Sequence, residues 1–337
     1  MMDLSTTYMG LSLRNPLVAS ASPLSHTVDG VRRLAEGGVS AVVLHSLFEE
    51  ELAEQAERNE RLTQAHTDSF AESLSYFPAA AGEELGPRRY LSLLERASAA
   101  VDIPVIASLN GVTPGGWSAY AKSIQDAGGV AIELNIYHVP GDSGISGRDV
   151  EQRHVEVLES VKGAVRVPVA VKLSPFFSSP GEMAMRLDAA GADALVLFNR
   201  FMHPDVDAES LEVAPGIGLS RPADARLPRA WIALLRGRVR AALAASTGVE
   251  DPEDVAKYLL AGADVVMTTS ALLRHGPAHA ATLIDGLSAW MARKGFQSMA
   301  DLRGKLAVPR GADETALERS GYVAAMRRAN VKQHGPW

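Results

Sequence analysis

Lys172 lies inside a short apolar run, Val169-Ala-Val-Lys-Leu173, where a charged side chain is costly to bury without a partner. One interpretation is an internal ion pair between Lys172 and Glu133. The other interpretations are chemical. The ammonium group could stabilise anionic charge on a ligand, or the amine could act as a nucleophile that forms a Schiff base.

Three asparagines close other apolar segments of the chain, at Asn110, Asn135 and Asn199. A side-chain amide donates and accepts hydrogen bonds at once, which suits the edge of a heteroaromatic ring or a carboxylate-bearing substrate. Asn135 and Asn199 could each serve as a helix cap instead. Taken together with Lys172, the three asparagines predict a substrate-binding site.

His138 stands in the turn-rich segment Asn135-Ile-Tyr-His-Val-Pro-Gly141. Because histidine titrates near neutral pH, His138 is a candidate general acid or base. The alternative is a loop residue without a chemical role. No set of histidines, aspartates and glutamates shows metal-ligand spacing, so we expect no metal.

Short apolar segments rich in β-branched residues recur along the chain and predict strands that are buried on both faces. The eight segments are Asn15–Ala21, Ala41–Ser46, Pro104–Asn110, Ala131–Ile136, Pro168–Ser174, Ala194–Asn199, Ala241–Thr247 and Asp264–Ser270. Helical patterns lie between them, at Thr27–Glu36, Trp117–Ala127, Val150–Val161, Pro180–Ala190 and Pro252–Ala261. This alternation predicts an α/β fold with a closed (β/α)8 TIM barrel; a doubly wound open sheet is the alternative.

Two of the loops between strands and the C-terminal region are longer than a minimal (β/α)8 barrel requires. We expect an extended loop after the second strand, a second long connection after the sixth strand, and a helical tail. These segments are Phe48–Thr63 (a helix), Ala65–Gly86 (a lid), His203–Arg229 (the second connection), Ala278–Arg293 (a helix) and Glu314–Arg328 (the tail helix). The predicted domains are the barrel over residues 1–310 and the tail over residues 311–337.

The active site of a (β/α)8 barrel lies at the carboxyl ends of its strands, where the loops converge. The candidate cofactor contacts at these ends are Ala21, Ser22, His45, Ser46, Asn135, Lys172, Thr247, Gly248, Thr269 and Ser270. Thr247-Gly248 and Thr269-Ser270 follow the last two strands, where barrel enzymes commonly bind a phosphate, with helix capping as the alternative. His45 is either a hydrogen-bonded barrel residue or a ligand contact.

The composition limits the function classes. A chain of 337 residues with 47% hydrophobic content indicates a large core, and a net charge of −7 argues against nucleic acid as a partner. We interpret Arg236, Arg238 and Arg240 as a solvated helix face. The absence of cysteine excludes disulfides, thiolate metal sites and a cysteine nucleophile. Because no signal-peptide pattern and no run of about 18 apolar residues occurs, we expect a cytoplasmic protein without a membrane partner.

These segments, in this order, resemble the dihydroorotate dehydrogenases, most closely their soluble class 1 branch, from Leu11 to about Leu306. The matching motifs are Leu13-Arg-Asn-Pro-Leu-Val18, Glu133-Leu-Asn-Ile136, Val171-Lys-Leu-Ser-Pro175, Phe198-Asn199, Pro215-Gly-Ile-Gly218, Ser246-Thr-Gly-Val249, Met267-Thr-Thr-Ser270 and Lys294-Gly-Phe-Gln-Ser-Met-Ala-Asp-Leu-Arg-Gly-Lys-Leu306. The resemblance implies FMN as cofactor, with Gly216 and Gly218 in an FMN loop and Lys172 beside the flavin ring. It also implies a homodimer.

Departures from the family pattern fall on the substrate chemistry. His138 stands where soluble members place a cysteine base, and His45 replaces a flavin-contacting lysine. The family's asparagine-bearing Gly-Leu-Pro substrate loop has no counterpart in Gln64–Pro87. The residues therefore support the cofactor more strongly than they support dihydroorotate, and a related cyclic or unsaturated substrate is the alternative.

The resulting hypothesis is oxidation of a CH–CH bond with transfer of hydride to FMN. Lys172 would stabilise negative charge on the flavin and His138 would remove a proton from the substrate, which the asparagines would hold. A lysine-dependent aldolase or lyase and an accessory flavoprotein subunit are the alternatives. The residues do not identify the electron acceptor, although without cysteine the chain cannot bind an iron–sulfur cluster through thiolates.

Overall fold

Eight parallel strands, surrounded by helices, close into a barrel in the computed structural model of the chain. The structure describes residues 2–51, 87–111, 117–138, 141–201, 204–214, 218–313 and 319–328. Closure of the ring confirms the predicted (β/α)8 architecture. It also excludes the doubly wound open sheet.

The barrel strands arise from the predicted apolar segments. The strands of the described residues are β1 (Thr6–Tyr8), β2 (Leu11–Leu13), β3 (Leu17–Ala19), β4 (Ala41–Phe48), β5 (Val105–Asn110), β6 (Ile132–Asn135), β7 (Val169–Leu173), β8 (Ala194–Leu197), β9 (Asp205–Asp207), β10 (Glu212–Ala214), β11 (Ala242–Ala245) and β12 (Val265–Thr268). Around the ring the order is β11, β12, β3, β4, β5, β6, β7, β8. Each predicted segment corresponds to one barrel strand, and β4 continues two residues beyond the predicted end at Ser46. The hairpins β1–β2 and β9–β10 were not predicted, because strands of three residues are too short to show an alternating pattern.

Helices follow most of the barrel strands. They are α1 (Val28–Glu36), α2 (Pro87–Ala100), α3 (Trp117–Asp126), α4 (Gly147–Ala164), α5 (Pro180–Ala189), α6 (Arg226–Leu235), α7 (Pro252–Ala261), α8 (Ser270–His275), α9 (His279–Lys294) and α10 (Met299–Leu302). The five predicted inter-strand helices and the helix predicted over Ala278–Arg293 are confirmed. Helix α4 begins earlier than predicted because Ser146 caps it, its side chain accepting a hydrogen bond from the Asp149 amide.

The extra segments are only partly described. Residues 49–51 are helical after β4, whereas the rest of the helix predicted over Phe48–Thr63 and the whole of the lid predicted over Ala65–Gly86 lie outside the described residues. The connection after β8 contains the β9–β10 hairpin and the start of α6. Residues 319–328 are helical, in agreement with the predicted tail helix.

The three arginines interpreted as a helix face lie instead in the turn between α6 and β11. The Arg236 guanidinium donates to Asp264 at 3.0 Å, and Arg238 donates to the Val308 carbonyl at 3.3 Å. The prediction was wrong because alternating arginines were assigned to a helix, whereas α6 ends at Leu235 and these side chains bind neighbouring segments. Within the described part of the chain, no helix is both long and apolar enough to cross a membrane.

The strand interiors determine which side chains reach the barrel mouth. One buried cluster includes Val18, Ile106, Ala170 and Ala244, which lie on four different barrel strands. Tyr8 of the β1–β2 hairpin belongs to the same cluster. Side chains two positions apart on a strand share a face. The cluster therefore marks the inner face, and the polar residues that follow at the same parity point to the interior at the carboxyl ends.

Candidate active site at the barrel mouth

Lys172 lies on the inner face of β7, two positions after Ala170 of the interior cluster. Its Nζ is 3.4 Å from Glu133 Oε1 on β6 and 3.2 Å from the Ser20 hydroxyl oxygen, which follows β3. The side chains of Lys172 and Glu133 are only 7% and 1% exposed. The ion pair that was one interpretation of the sequence is present. Lys172 also borders a cavity, where its side chain is available to a ligand.

A row of asparagines crosses the barrel beside this lysine. In the register of the sheet Asn110 is paired with Asn135, and Asn135 with Lys172, on three successive strands. All three residues are buried. Asn199, just after β8, donates its side-chain amide to Asn135 Oδ1 at 2.8 Å. The fold therefore brings the predicted asparagines and Lys172 to one level of the mouth.

A cavity of about 380 Å³ opens at the carboxyl ends of the strands. Its described lining includes Ala21, Ser22, Lys172, Asn199, Gly218, Thr247, Gly248, Thr269 and Ser270. Gly216 lies outside the described residues. The other predicted site residues, namely His45, Ser46, Asn110, Asn135 and His138, do not belong to the described lining of this cavity.

One end of the cavity is built from hydroxyl groups and a tight glycine turn. Ser220 is the centre of this region: its hydroxyl oxygen accepts from the Gly248 amide at 3.0 Å and lies 2.9 Å from the Ser270 hydroxyl. Thr247 and Gly248 both have positive φ, at 84° and 70°. A Cβ on Gly248 would lie 2.7 Å from both the Ala225 amide nitrogen and the Arg221 carbonyl oxygen. The turn therefore requires glycine on steric as well as conformational grounds.

His138 is half-buried after β6, and its Nε2 lies 3.4 Å from Arg153 Nη1 of α4. Partial burial, and then the positive charge of Arg153, lower the pKa of His138 below its usual range. The imidazole is therefore predominantly neutral at neutral pH. A neutral imidazole is the form that accepts a proton.

His45 is absent from the described lining of the cavity and packs against other aromatic rings. Its ring centroid lies 4.1 Å from that of His26 and 5.2 Å from that of Tyr90 on α2. Burial lowers the pKa of His45 to about 4, and the charge of His26 adds to this effect. Its Nδ1 has no hydrogen-bond partner among the described residues. Ser46 instead shares a 2.8 Å hydrogen bond with Ser108 of β5.

Two residues of the site were not among the predicted contacts. Ser20 was not predicted, although Ala21 and Ser22 were. Because Ser20 lies two residues after Val18, its side chain is on the same inner face of the strand. Ser220 lies two residues after the Pro215-Gly-Ile-Gly218 motif and was not predicted as a contact. No local pattern distinguishes Ser220, because its contacts with Gly248 and Ser270 join distant parts of the chain.

Comparison with known proteins agrees with this architecture. The family model for dihydroorotate dehydrogenase matches residues 3–291. A dihydroorotate dehydrogenase B (NAD(+)) catalytic subunit of Methanothermobacter thermautotrophicus is 28% identical over 309 residues, which cover 89% of this chain and 97% of the relative. A protein of Aeropyrum pernix, provisionally named dihydroorotate dehydrogenase A (fumarate), is 28% identical over 90% of this chain and 97% of the relative. A catalytic subunit of Halalkalibacterium halodurans is 33% identical over 60% of this chain and 68% of the relative.

The barrel, the cavity at its mouth and these similarities define the class of the protein. It is an oxidoreductase that acts on CH–CH groups. The chain belongs to the dihydroorotate dehydrogenase family, which is in general flavin-dependent.

Proposed function

We propose that the chain binds FMN in the 380 Å³ cavity and oxidises a CH–CH bond of a cyclic substrate, with dihydroorotate as the first candidate. The observation that carries the proposal is where the polar groups lie in the wall of that cavity. Lys172 lies in its wall, and the turn around Gly248 with the hydroxyls of Ser220 and Ser270 lies in another part of the same wall. A cation suits the electron-rich ring of a flavin, and hydroxyl groups beside a glycine turn suit its phosphate.

The cofactor contacts in this proposal are distributed along the cavity. Ala21, Ser22 and Lys172 would border the ring, and Gly218, Thr247, Gly248, Thr269 and Ser270 would surround the phosphate. Three other predicted cofactor contacts, His45, Ser46 and Asn135, do not belong to the described cavity lining, and Gly216 lies outside the described residues. When bound, FMN would supply the hydride acceptor.

The side chains of the chain supply binding, orientation and proton transfer. Asn110, Asn135 and Asn199 would hold the polar edge of the substrate, and the 2.8 Å hydrogen bond from Asn199 to Asn135 fixes the orientation of both amides. His138, mainly neutral, would accept the proton that leaves the carbon next to the one that loses hydride. Lys172 would stabilise negative charge that develops at the ring.

Family membership does not favour a lysine-dependent aldolase or lyase. The names of similar proteins include both NAD(+) and fumarate, and several are catalytic subunits. We infer that electrons leave through an external acceptor of one of these kinds or a ferredoxin-like carrier. A homodimer is the assembly that we propose for the chain by analogy with the family.

The test is spectroscopic. The purified chain should show flavin absorbance, release FMN on denaturation, and lose the absorbance of the oxidised flavin on anaerobic titration with dihydroorotate or a related cyclic CH–CH substrate. A colourless protein that does not take up added FMN would contradict the proposed cofactor. A yellow protein that stays oxidised with dihydroorotate would retain the cofactor and remove dihydroorotate as substrate.

A further inference from the structure

A second cavity, of about 320 Å³, adjoins the first at the barrel mouth. The two cavities share Phe198, Asn199, Arg200 and Thr247 as lining residues. A molecule held by Asn199 therefore has access to both. The proposed function places the cofactor in the first cavity, so the second is the space into which the rest of a substrate can extend.

The second cavity has a largely apolar wall. Besides the shared residues, its described lining consists of Pro175, Phe176, Phe201, Asp224, Leu227 and Pro228. Phe176 and Leu227 are 66% and 50% exposed, although most large apolar side chains of this barrel are buried. An exposed apolar surface inside a concave site is typical of a region that a ligand covers.

The aromatic part of this wall continues into Tyr137, the residue before the predicted base. The ring of Phe201 stacks on that of Tyr137, with centroids 4.3 Å apart and planes 16° apart. Phe176 meets Phe201 edge to face at 5.8 Å. Tyr137 immediately precedes His138 in the chain. A substrate within reach of His138 and Asn199 would therefore lie against an aromatic surface.

The charges of the two cavities do not provide a free cation for a carboxylate. The cations in their described linings are Lys172 and Arg200. Arg200 Nη1 lies 2.8 Å from Asp224 Oδ2, and Lys172 Nζ lies 3.4 Å from Glu133 Oε1. A carboxylate brought to either cation would meet a carboxylate already in place, which reduces the electrostatic gain from its binding.

We propose that the substrate is a cyclic CH–CH compound with an aryl substituent, and that this substituent occupies the 320 Å³ cavity against Phe176 and Phe201. The proposal rests on the proposed function and names its substrate class. Aromatic side chains bind a planar apolar group by offset or edge-to-face contact. The oxidised bond then stays near Asn199 and His138, while the carboxylate of dihydroorotate would have no matching cation in the described lining.

A pair of ligands that differ only at this substituent tests the proposal. Orotate and 6-phenyluracil share the pyrimidine ring, and a carboxylate in the first is replaced by a phenyl group in the second. Calorimetric titration of the flavin-loaded protein should give at least about tenfold tighter binding of 6-phenyluracil, since an apolar pocket discriminates by that order. Equal or tighter binding of orotate would overturn the aryl assignment.

Single-residue variants test whether the preference for 6-phenyluracil arises in the second cavity. Phe201→Ala should remove most of the preference for 6-phenyluracil without a change in orotate binding, and Phe176→Ala, at an exposed position, makes the same test without a risk to folding. The control is Tyr322→Ala, which removes an aromatic ring that is 68% exposed and lies outside the described lining of both cavities. An unchanged preference in both phenylalanine variants would also refute the assignment.

Turnover separates this inference from the function on which it rests. The corresponding dihydro compounds, dihydroorotate and 6-phenyl-5,6-dihydrouracil, should both be tested for anaerobic flavin reduction, and the phenyl compound should show the higher kcat/KM. If neither reduces the flavin although 6-phenyluracil binds more tightly, the proposed reaction fails and the aryl site stands. Reduction by dihydroorotate alone, with tighter binding of orotate, would keep the function and refute the aryl site.

Discussion

Replacement of Lys172 by methionine should separate its structural role from its chemical one. The change leaves the Glu133 carboxylate, which is fully buried, without its cation. Removal of one partner of a buried ion pair costs about 3–5 kcal/mol. The 3.4 Å separation of Nζ and Oε1 is long for a charge-assisted hydrogen bond, so we expect a loss of unfolding free energy near 3 kcal/mol, at the lower end of this range.

The double variant Lys172→Met/Glu133→Gln removes both charges and should recover stability to within about 1 kcal/mol of the parent, because a neutral pair of similar volume is often as stable as a buried ion pair. The rate of flavin reduction should not recover. We expect substrate-dependent flavin reduction to remain about 100-fold to 1000-fold slower, the loss typical of removing one group that stabilises developing charge.

Urea unfolding and anaerobic stopped-flow measurements with saturating FMN test the two parts. The control is Lys162→Met, which breaks the more exposed pair between Lys162 and Asp193 and should cost no more than about 1 kcal/mol. If the double variant reduces the flavin at the parental rate, Lys172 is a structural residue and its proposed chemical role is refuted.

Two further predictions concern the turn and the base. Gly248→Ala should abolish FMN retention, because the new Cβ would lie 2.7 Å from the Ala225 amide nitrogen. The matched control is Gly276→Ala, which is also at positive φ but has no atom within 4 Å of the new Cβ. Retained FMN in the Gly248 variant would contradict the assignment. His138→Ala should slow substrate-dependent reduction by about 100-fold to 10,000-fold with FMN still bound, and normal reduction in this variant would eliminate His138 as the base. Because the pKa of His138 is lowered, its imidazole stays neutral to a lower pH than an ordinary histidine. The reduction rate should therefore be constant at neutral pH and fall only when acid protonates the ring. A rate that rises on acidification would contradict the role of His138 as a base.

Much of the fold could be predicted from local patterns. Segments such as Val169–Leu173 and Ala194–Leu197 are short, apolar and separated by helical patterns, and this signal is local because it depends on which residues neighbour each other in the chain. Helix α2 was not predicted, although Tyr90, Leu94 and Ala97 form its buried face at helical spacing. The run of arginines after Leu235 was misassigned because their partners lie on other segments.

By itself, the sequence determined the chemical groups available at the strand ends: one lysine, three asparagines and the glycine and hydroxyl turns, with His138 where the family resemblance implies a cysteine. It could do so because the side chains of a strand alternate between two faces, which makes residue type and parity local properties. Only the tertiary structure decided which of these groups meet. Sheet register placed Asn110, Asn135 and Lys172 at one level, and barrel closure brought Ser20 to Lys172 across 152 positions of sequence. Tertiary packing also placed His45 against His26 and Phe201 against Tyr137. Such contacts depend on long-range geometry that no local pattern encodes.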